Sequence, residues 1–130
     1  MANDSTPKTI AILGASSNRA KYGNKCVRAY LHAGWTVYPV NPGGGEIEGL
    51  AVYRSLDAVP KPLDRISVYL APPISLALLP EMAAAKAGDV MFNPGSADEV
   101  VLRKARELGI EALDYCSIVA IGLTPAMFPG

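Results

Sequence analysis

Ile10, Ala11, Ile12 and Leu13 run straight into Gly14, Ala15, Ser16, Ser17 and Asn18, and then into Arg19, Lys21, Tyr22 and Gly23. An apolar strand that ends in small residues lets a ligand approach the backbone N–H groups of the turn, and nearby bases add charge for a phosphate. A helix starting near Tyr22 brings the positive end of its dipole to the same place. The chemistry is anion binding.

Three further turns have a similar small or proline-rich character: Asn41, Pro42 and Gly43 to Gly45; Ala71, Pro72 and Pro73; and Asn93, Pro94, Gly95 and Ser96. Ligands of open α/β sheets lie across the carboxyl ends of strands, so four such turns together favour one crevice. The first loop is not a dinucleotide fingerprint. That pattern needs glycine at positions 14, 16 and 19 and an acid about twenty residues on. Ser16 and Arg19 replace two of the glycines, and the second strand ends in Val40, Asn41, Pro42 and Gly43 with no acid. Gly43 to Gly45 also provides no arginine for an NADP phosphate. Arg19, Lys21 and Lys25 suit a ligand more negative than NAD.

No catalytic group assembles from the sequence. His32 is the single histidine and falls at a helix end. Cys116 follows the last strand, where a thiol could exchange with a disulfide or take an acyl group, but no base stands near it in sequence. Cys26 falls on the apolar side of a helix, and Asp98 and Glu99 suit a helix N-terminus rather than an acid/base pair. One histidine and two distant cysteines match no metal-ligand spacing. Neither catalytic nor metal-ligating residues are expected.

The elements that position these turns alternate between strand and helix five times, which predicts an α/β fold. We expect a Rossmann-like, doubly wound, mainly parallel sheet of five to six strands with helices on both faces. Strands are expected over 9–13, 36–40, 65–70, 89–92 and 110–113, with a short strand or extended segment over 47–51. Helices are expected over 22–32, with Gly34 as C-cap, over 74–87 before Gly88, and over 97–108, capped by Ser96 and ended by Gly109. Ser55 is placed to cap a helical turn over 56–59.

The chain has 130 residues, half of them apolar, which suffices for one domain over 1–130. Residues 1–8 are expected to be a flexible N-terminus. Residues 117–130 form an apolar tail that must pack on the body or on another subunit, so a homodimer through the tail is one expectation. Net charge is zero, yet no acid lies between Asp4 and Glu46, where Lys8, Arg19, Lys21, Lys25 and Arg28 fall. Such local positive potential favours a small anionic nucleotide over nucleic acid. The two cysteines read as reduced thiols, and neither a signal peptide nor a membrane span is expected, so a cytoplasmic protein is expected.

Several of these stretches resemble the small CoA-binding proteins, whose Rossmann-like domain is similar to that of the succinyl-CoA synthetase alpha subunit. The resemblance rests on Gly14 to Asn18 with Lys21, Tyr22 and Gly23; on Val37, Tyr38, Pro39, Val40, Asn41 and Pro42; and on Glu46, Ile47, Glu48, Gly49, Tyr53, Ser55 and Leu56. Pro72, Pro73, Asn93, Pro94, Gly95, Ala105, Arg106, Gly109, Ile110 and Cys116 extend it over nearly the whole domain. It implies coenzyme A or an acyl-CoA as ligand, with no metal. Gly14, Ala15, Ser16, Ser17, Asn18 and Arg19 would then surround the phosphates, with Lys21, Tyr22 and Gly23 alongside. Asn41 and Pro42 would flank the adenine or ribose, Ala71 to Pro73 would wall the groove, and Asn93 to Gly95 would lie toward the pantetheine arm. Relatives commonly carry Lys after the Asn-Pro pair, where this chain has Gly43. A synthetase-type ligase would need a phosphorylatable histidine on a second domain and an ATP-grasp partner. The expected function is therefore non-catalytic binding, as carrier, sensor or regulatory module. An NAD(P)- or other nucleotide-dependent enzyme using the same crevice, and an interaction protein with a vestigial crevice, are the alternatives.

Overall fold

A computed structural model describes residues 6–130. Five parallel strands form the sheet: β1 (Thr9–Leu13), β2 (Thr36–Val40), β5 (Arg65–Val68), β6 (Asp89–Phe92) and β7 (Ala112–Asp114). Their spatial order is β2-β1-β5-β6-β7, all pairs parallel. The fold is Rossmann-like, as expected. The extended segment expected over 47–51 is instead a separate antiparallel hairpin, β3 (Glu46–Ile47) and β4 (Leu50–Ala51), turned by Glu48 and Gly49 at positive φ. Only Tyr53 reaches the main sheet in that region, through a parallel bridge to Val40. Its N–H donates to Pro39 O and its carbonyl accepts from Asn41 N–H, both at 2.9 Å.

The apolar strands face two cores. Ile10 and Ile12 of β1 join Cys26, Val27 and Tyr30 of α1 (Tyr22–His32) and Ile118 of α4 (Ser117–Ala120). Ala11 and Leu13 point the other way, toward Leu79 and Met82 of α2 (Pro72–Ala85) and Val101 and Ala105 of α3 (Glu99–Glu107). Burial on both faces explains why β1 shows no polar alternation.

Several helix and strand boundaries differ from expectation. The third strand of the expected set stops at Val68, and α2 begins at Pro72 and Pro73, where a missing N–H costs nothing and φ suits the first turn. Lys86, in the left-handed region, ends α2, whereas Gly88 serves close packing, since a Cβ there would lie 2.6 Å from Asp64 O. Asp98, not Ser96, caps α3 by accepting from Val101 N–H at 2.9 Å, because Ser96 Oγ turns back to donate to Asn93 O. The last strand, β7, starts two residues later and ends one residue later than expected.

The tail folds onto its own chain. Lys25 Nζ donates to Phe128 O at 2.8 Å, Arg28 donates to the carbonyls of Phe128 and Pro129, and His32 meets the Phe128 ring edge-on. At the other end, most of the stretch expected to be flexible lies outside the described residues, but Lys8 accepts from Thr36 N–H and lies over Trp35. No helix is long and apolar enough to cross a membrane.

Candidate functional site

Gly14 turns the chain out of β1 at φ +84°, and a Cβ there would lie 2.3 Å from Tyr69 O. Gly23 is equally constrained, since its Cβ would lie 2.3 Å from Gly14 O, so α1 can dock against the loop only with glycine there. Asn41 Nδ2 donates to Ala15 O and Asn24 Nδ2 to Ser16 O, both at 2.9 Å. The C=O and N–H of a trans peptide point in opposite directions, so holding these two carbonyls turns the N–H groups of Ser16 and Ser17 away from the two asparagines. Ser16 Oγ accepts from Asn18 N–H, and Asn18 Oδ1 accepts from Ala20 N–H, both at 3.0 Å. Ser16 and Asn18 thus shape the loop with their side chains. Lys21 is the N-cap of α1, where no side chain caps the helix and no acid occupies the first turn, and Tyr22 is exposed. The loop and helix end present donors for an anion.

The bases are less free than their sequence positions suggest. Arg19 pairs with Glu48 at 2.8 Å, and Glu48 also accepts from Asn24 Nδ2 at 3.1 Å. Because the Arg19 side chain is half exposed, this pair contributes roughly 0–1 kcal/mol and can be exchanged for a phosphate at small cost. Lys25 and Arg28 hold the tail, and Arg28 also bonds Asn24 Oδ1 at 2.7 Å.

Beside Gly14, an apolar slot of about 140 Å³ opens at the carboxyl ends of β1 and β2. Leu13, Val40, Pro42, Leu70, Ile74 and Leu78 line it, with Arg54, Ser55, Leu56 and Glu81. Pockets that enclose a whole small ligand span roughly 300–1,000 Å³, so this slot suits one ring system, with the remainder across the open strand ends. Leu70 and Ile74 form the wall expected of Pro72 and Pro73, which with Ala71 are the start of α2. A larger groove of about 490 Å³ lies between α2 and α3, away from the strand ends.

Asn93 lies 2 % exposed and turns inward. Its Nδ2 donates to Ser67 Oγ and Val68 O, both at 2.9 Å, and its Oδ1 accepts from Ser117 N–H at 2.7 Å. The residue joins β5 to α4, while Pro94 and Gly95 are the exposed part of that turn. Cys26 is fully buried, 3.7 Å from Ser67 Oγ, and burial pushes its thiol up to about 12. It is no nucleophile at neutral pH. His32 closes an eleven-residue helix whose other end meets the loop, about 15 Å away at 1.5 Å per residue. Among the described residues no group of three or more potential ligands could hold a metal.

Sequence reasoning missed Asn24, Glu48 and Arg54. A polar residue in the first turn of α1 was a visible signal for Asn24, but nothing local ties Glu48 or Arg54 to the loop.

Residues 8–122 match the model of the CoA binding domain family. Among curated proteins, the chain is 38 % identical to the ADP-forming acetate–CoA ligase I of Archaeoglobus fulgidus over 58 residues, 45 % of this chain and 8 % of that one. It is 36 % identical to the alpha subunit of the Pyrococcus furiosus enzyme over 64 residues, 45 % of this chain and 14 % of that subunit. The chain thus spans less than a fifth of the curated relatives it matches. Among solved structures, a conserved hypothetical protein from Pyrococcus furiosus superposes with a TM-score of 0.81 at 38 % identity, covering 87 % of this chain and 98 % of that one. A protein from Thermus thermophilus superposes with a TM-score of 0.80 at 31 % identity, covering 87 % of each chain. With its five-stranded Rossmann-like sheet and a family match over nearly its whole length, the chain belongs to the CoA-binding domain family.

Proposed function

We propose that this chain binds coenzyme A or an acyl-CoA across the carboxyl ends of β1, β2 and β5 and performs no reaction on it, acting as a carrier, sensor or regulatory module. The observation that carries this reading is the grip of Asn41 and Asn24 on the carbonyls of Ala15 and Ser16, which turns the N–H groups of Ser16 and Ser17 away from the two asparagines beside an apolar slot. The diphosphate lies on those donors and the N-terminus of α1, and the adenine ring enters the slot. Two observations support binding without chemistry: the buried Cys26 thiol keeps its proton, and His32 stands at the far end of α1. Ligation in the curated relatives belongs to chains of which this fold is a small part.

Thermal unfolding with coenzyme A, acetyl-CoA and a long-chain acyl-CoA tests the reading. Ligand at a hundred times its Kd adds about 2.7 kcal/mol. With an unfolding entropy of about 2.1 cal/mol/K per residue over 130 residues, Tm rises about 10 °C. No shift with any of the three overturns binding. Release of free thiol from acetyl-CoA, followed colorimetrically, overturns the non-catalytic part. Native mass spectrometry of the purified protein reads the mass of any retained nucleotide together with the subunit count.

A further inference from the structure

Arg54 is the one base lining the apolar slot. Its backbone position is fixed by Tyr53, whose N–H and C=O bond Pro39 and Asn41 at the end of β2. Its Nη1 donates to Pro42 O at 3.0 Å, and the guanidinium packs against Gly44, where a Cβ would come within 2.8 Å of Cζ. No carboxylate pairs with it among the described residues. The side chain is therefore a positioned, exposed cation with most of its donors uncommitted, at the point where β2 ends.

In nucleotide-binding α/β crevices that point meets the adenosine ribose. An acid there accepts from a free ribose diol, and an arginine accommodates a phosphorylated one. Here β2 ends without an acid, and the Asn41 side chain is already used by Ala15 O and Gly43 N–H. Of the glycines 43–45, which offer no base themselves, Gly44 leaves the space that the Arg54 guanidinium occupies. The only carboxylate on the slot is Glu81, from α2.

We infer that Arg54 reads a phosphate monoester on the ribose of the bound adenosine, and so selects a ligand with a phosphorylated ribose over one with a free diol. The inference rests on the nucleotide reading above and deepens it. Planar guanidinium donors match phosphate oxygens two at a time, which a ribose hydroxyl cannot return.

Isothermal titration of the wild type, Arg54→Gln and Arg54→Lys with coenzyme A and 3′-dephospho-CoA, and with NADP and NAD, tests it. The wild type is expected to bind coenzyme A at least about 10-fold more tightly than its dephospho form, as one charge-assisted contact implies. Arg54→Gln should remove that preference by weakening coenzyme A alone, and Arg54→Lys should restore part of it. Equal weakening of both forms, or no change in either, overturns the role of Arg54 while leaving coenzyme A binding in place. Loss of affinity in Glu81→Gln but not in Arg54→Gln also overturns it, since a carboxylate would then read the free diol. An Arg54-dependent preference for NADP over NAD, with no binding of coenzyme A, supports the ribose-phosphate contact and overturns the coenzyme A reading. Binding of none of the four ligands overturns both. Circular dichroism confirms that the exposed-site variants are folded.

Discussion

Replacing Asn93 by alanine separates a structural role from a ligand contact at the fourth turn. The substitution removes three side-chain hydrogen bonds, to Ser67 Oγ, Val68 O and Ser117 N–H. Two acceptors keep other partners, since Ser67 Oγ still meets Ser117 Oγ at 2.6 Å and Val68 O still accepts from the backbone N–H of residue 93 at 3.3 Å. Ser117 N–H loses its side-chain acceptor in a fully buried position. At about 1 kcal/mol for each of the two bonds whose acceptors keep a partner and about 1–3 kcal/mol for the buried orphaned donor, the loss comes to about 3–5 kcal/mol. With an unfolding entropy near 2.1 cal/mol/K per residue over 130 residues, Tm falls by about 11–18 °C. Urea unfolding followed by circular dichroism should show a lower midpoint with an unchanged slope. Titration with coenzyme A below the new Tm should show affinity within a few-fold of wild type. Stability within about 1 kcal/mol of wild type, combined with a loss of affinity beyond about 10-fold, would refute the reasoning, because Asn93 would then face the ligand.

Two other perturbations follow from the packing around the loop. Gly23→Ala drives a Cβ to 2.3 Å from Gly14 O, so it should cost about 1–3 kcal/mol and weaken coenzyme A by displacing α1 from the loop. Urea unfolding and calorimetry check both, and a variant as stable as wild type contradicts the close approach. At alkaline pH, burial raises Cys26 from 9.0 to about 12 and Tyr30 from 10.0 to about 12. The folded chain keeps protons that the unfolded chain releases, so their stabilisation is intact below about pH 9 and is lost as pH rises to 12, at about 1.4 kcal/mol per pH unit per group. Urea midpoints between pH 8 and 11 should fall less steeply in Cys26→Ala, and an unchanged slope counts against the buried thiol.

Elements set by local apolar runs were legible in the sequence. Thr9–Leu13, Tyr22–His32 and Thr36–Val40 match their expected bounds, because Gly14, Gly34 and Pro42 stand at or just beyond the end of each run. Caps were less legible, since Ser96 and Asp98 are both good N-caps and only the fold turns Ser96 back onto Asn93. Pro72 and Pro73 read equally as a strand stop and as a helix start; here they start α2, the strand having already ended at Val68. The loop's donors were visible as Gly14 to Asn18. Their orientation was not, because it depends on Asn41, twenty-six residues from Ala15. Glu48 lies twenty-nine residues from Arg19, and the Phe128 carbonyl lies 103 from Lys25, so no periodicity reveals that these bases are engaged. Arg54 reaches the end of β2 only because the β3–β4 hairpin folds back and returns the chain through Tyr53.

The contact between Tyr53 and β2 also determines how copies of this chain can meet. β2 is an outer strand of the sheet, and such a strand ordinarily offers a row of unpaired groups to any passing chain. Pro39 O points outward to Tyr53, so the Pro39 nitrogen, which carries no hydrogen, faces the same side. Asn41 N–H, the next outward donor, is taken by Tyr53 O. The border of the sheet beside the ligand loop is thereby closed to strand addition, and aggregation through extended pairing there is blocked by the segment that carries Arg54. Self-association that spares the binding crevice is left to the helical faces or to the three-residue strand β7 at the opposite border.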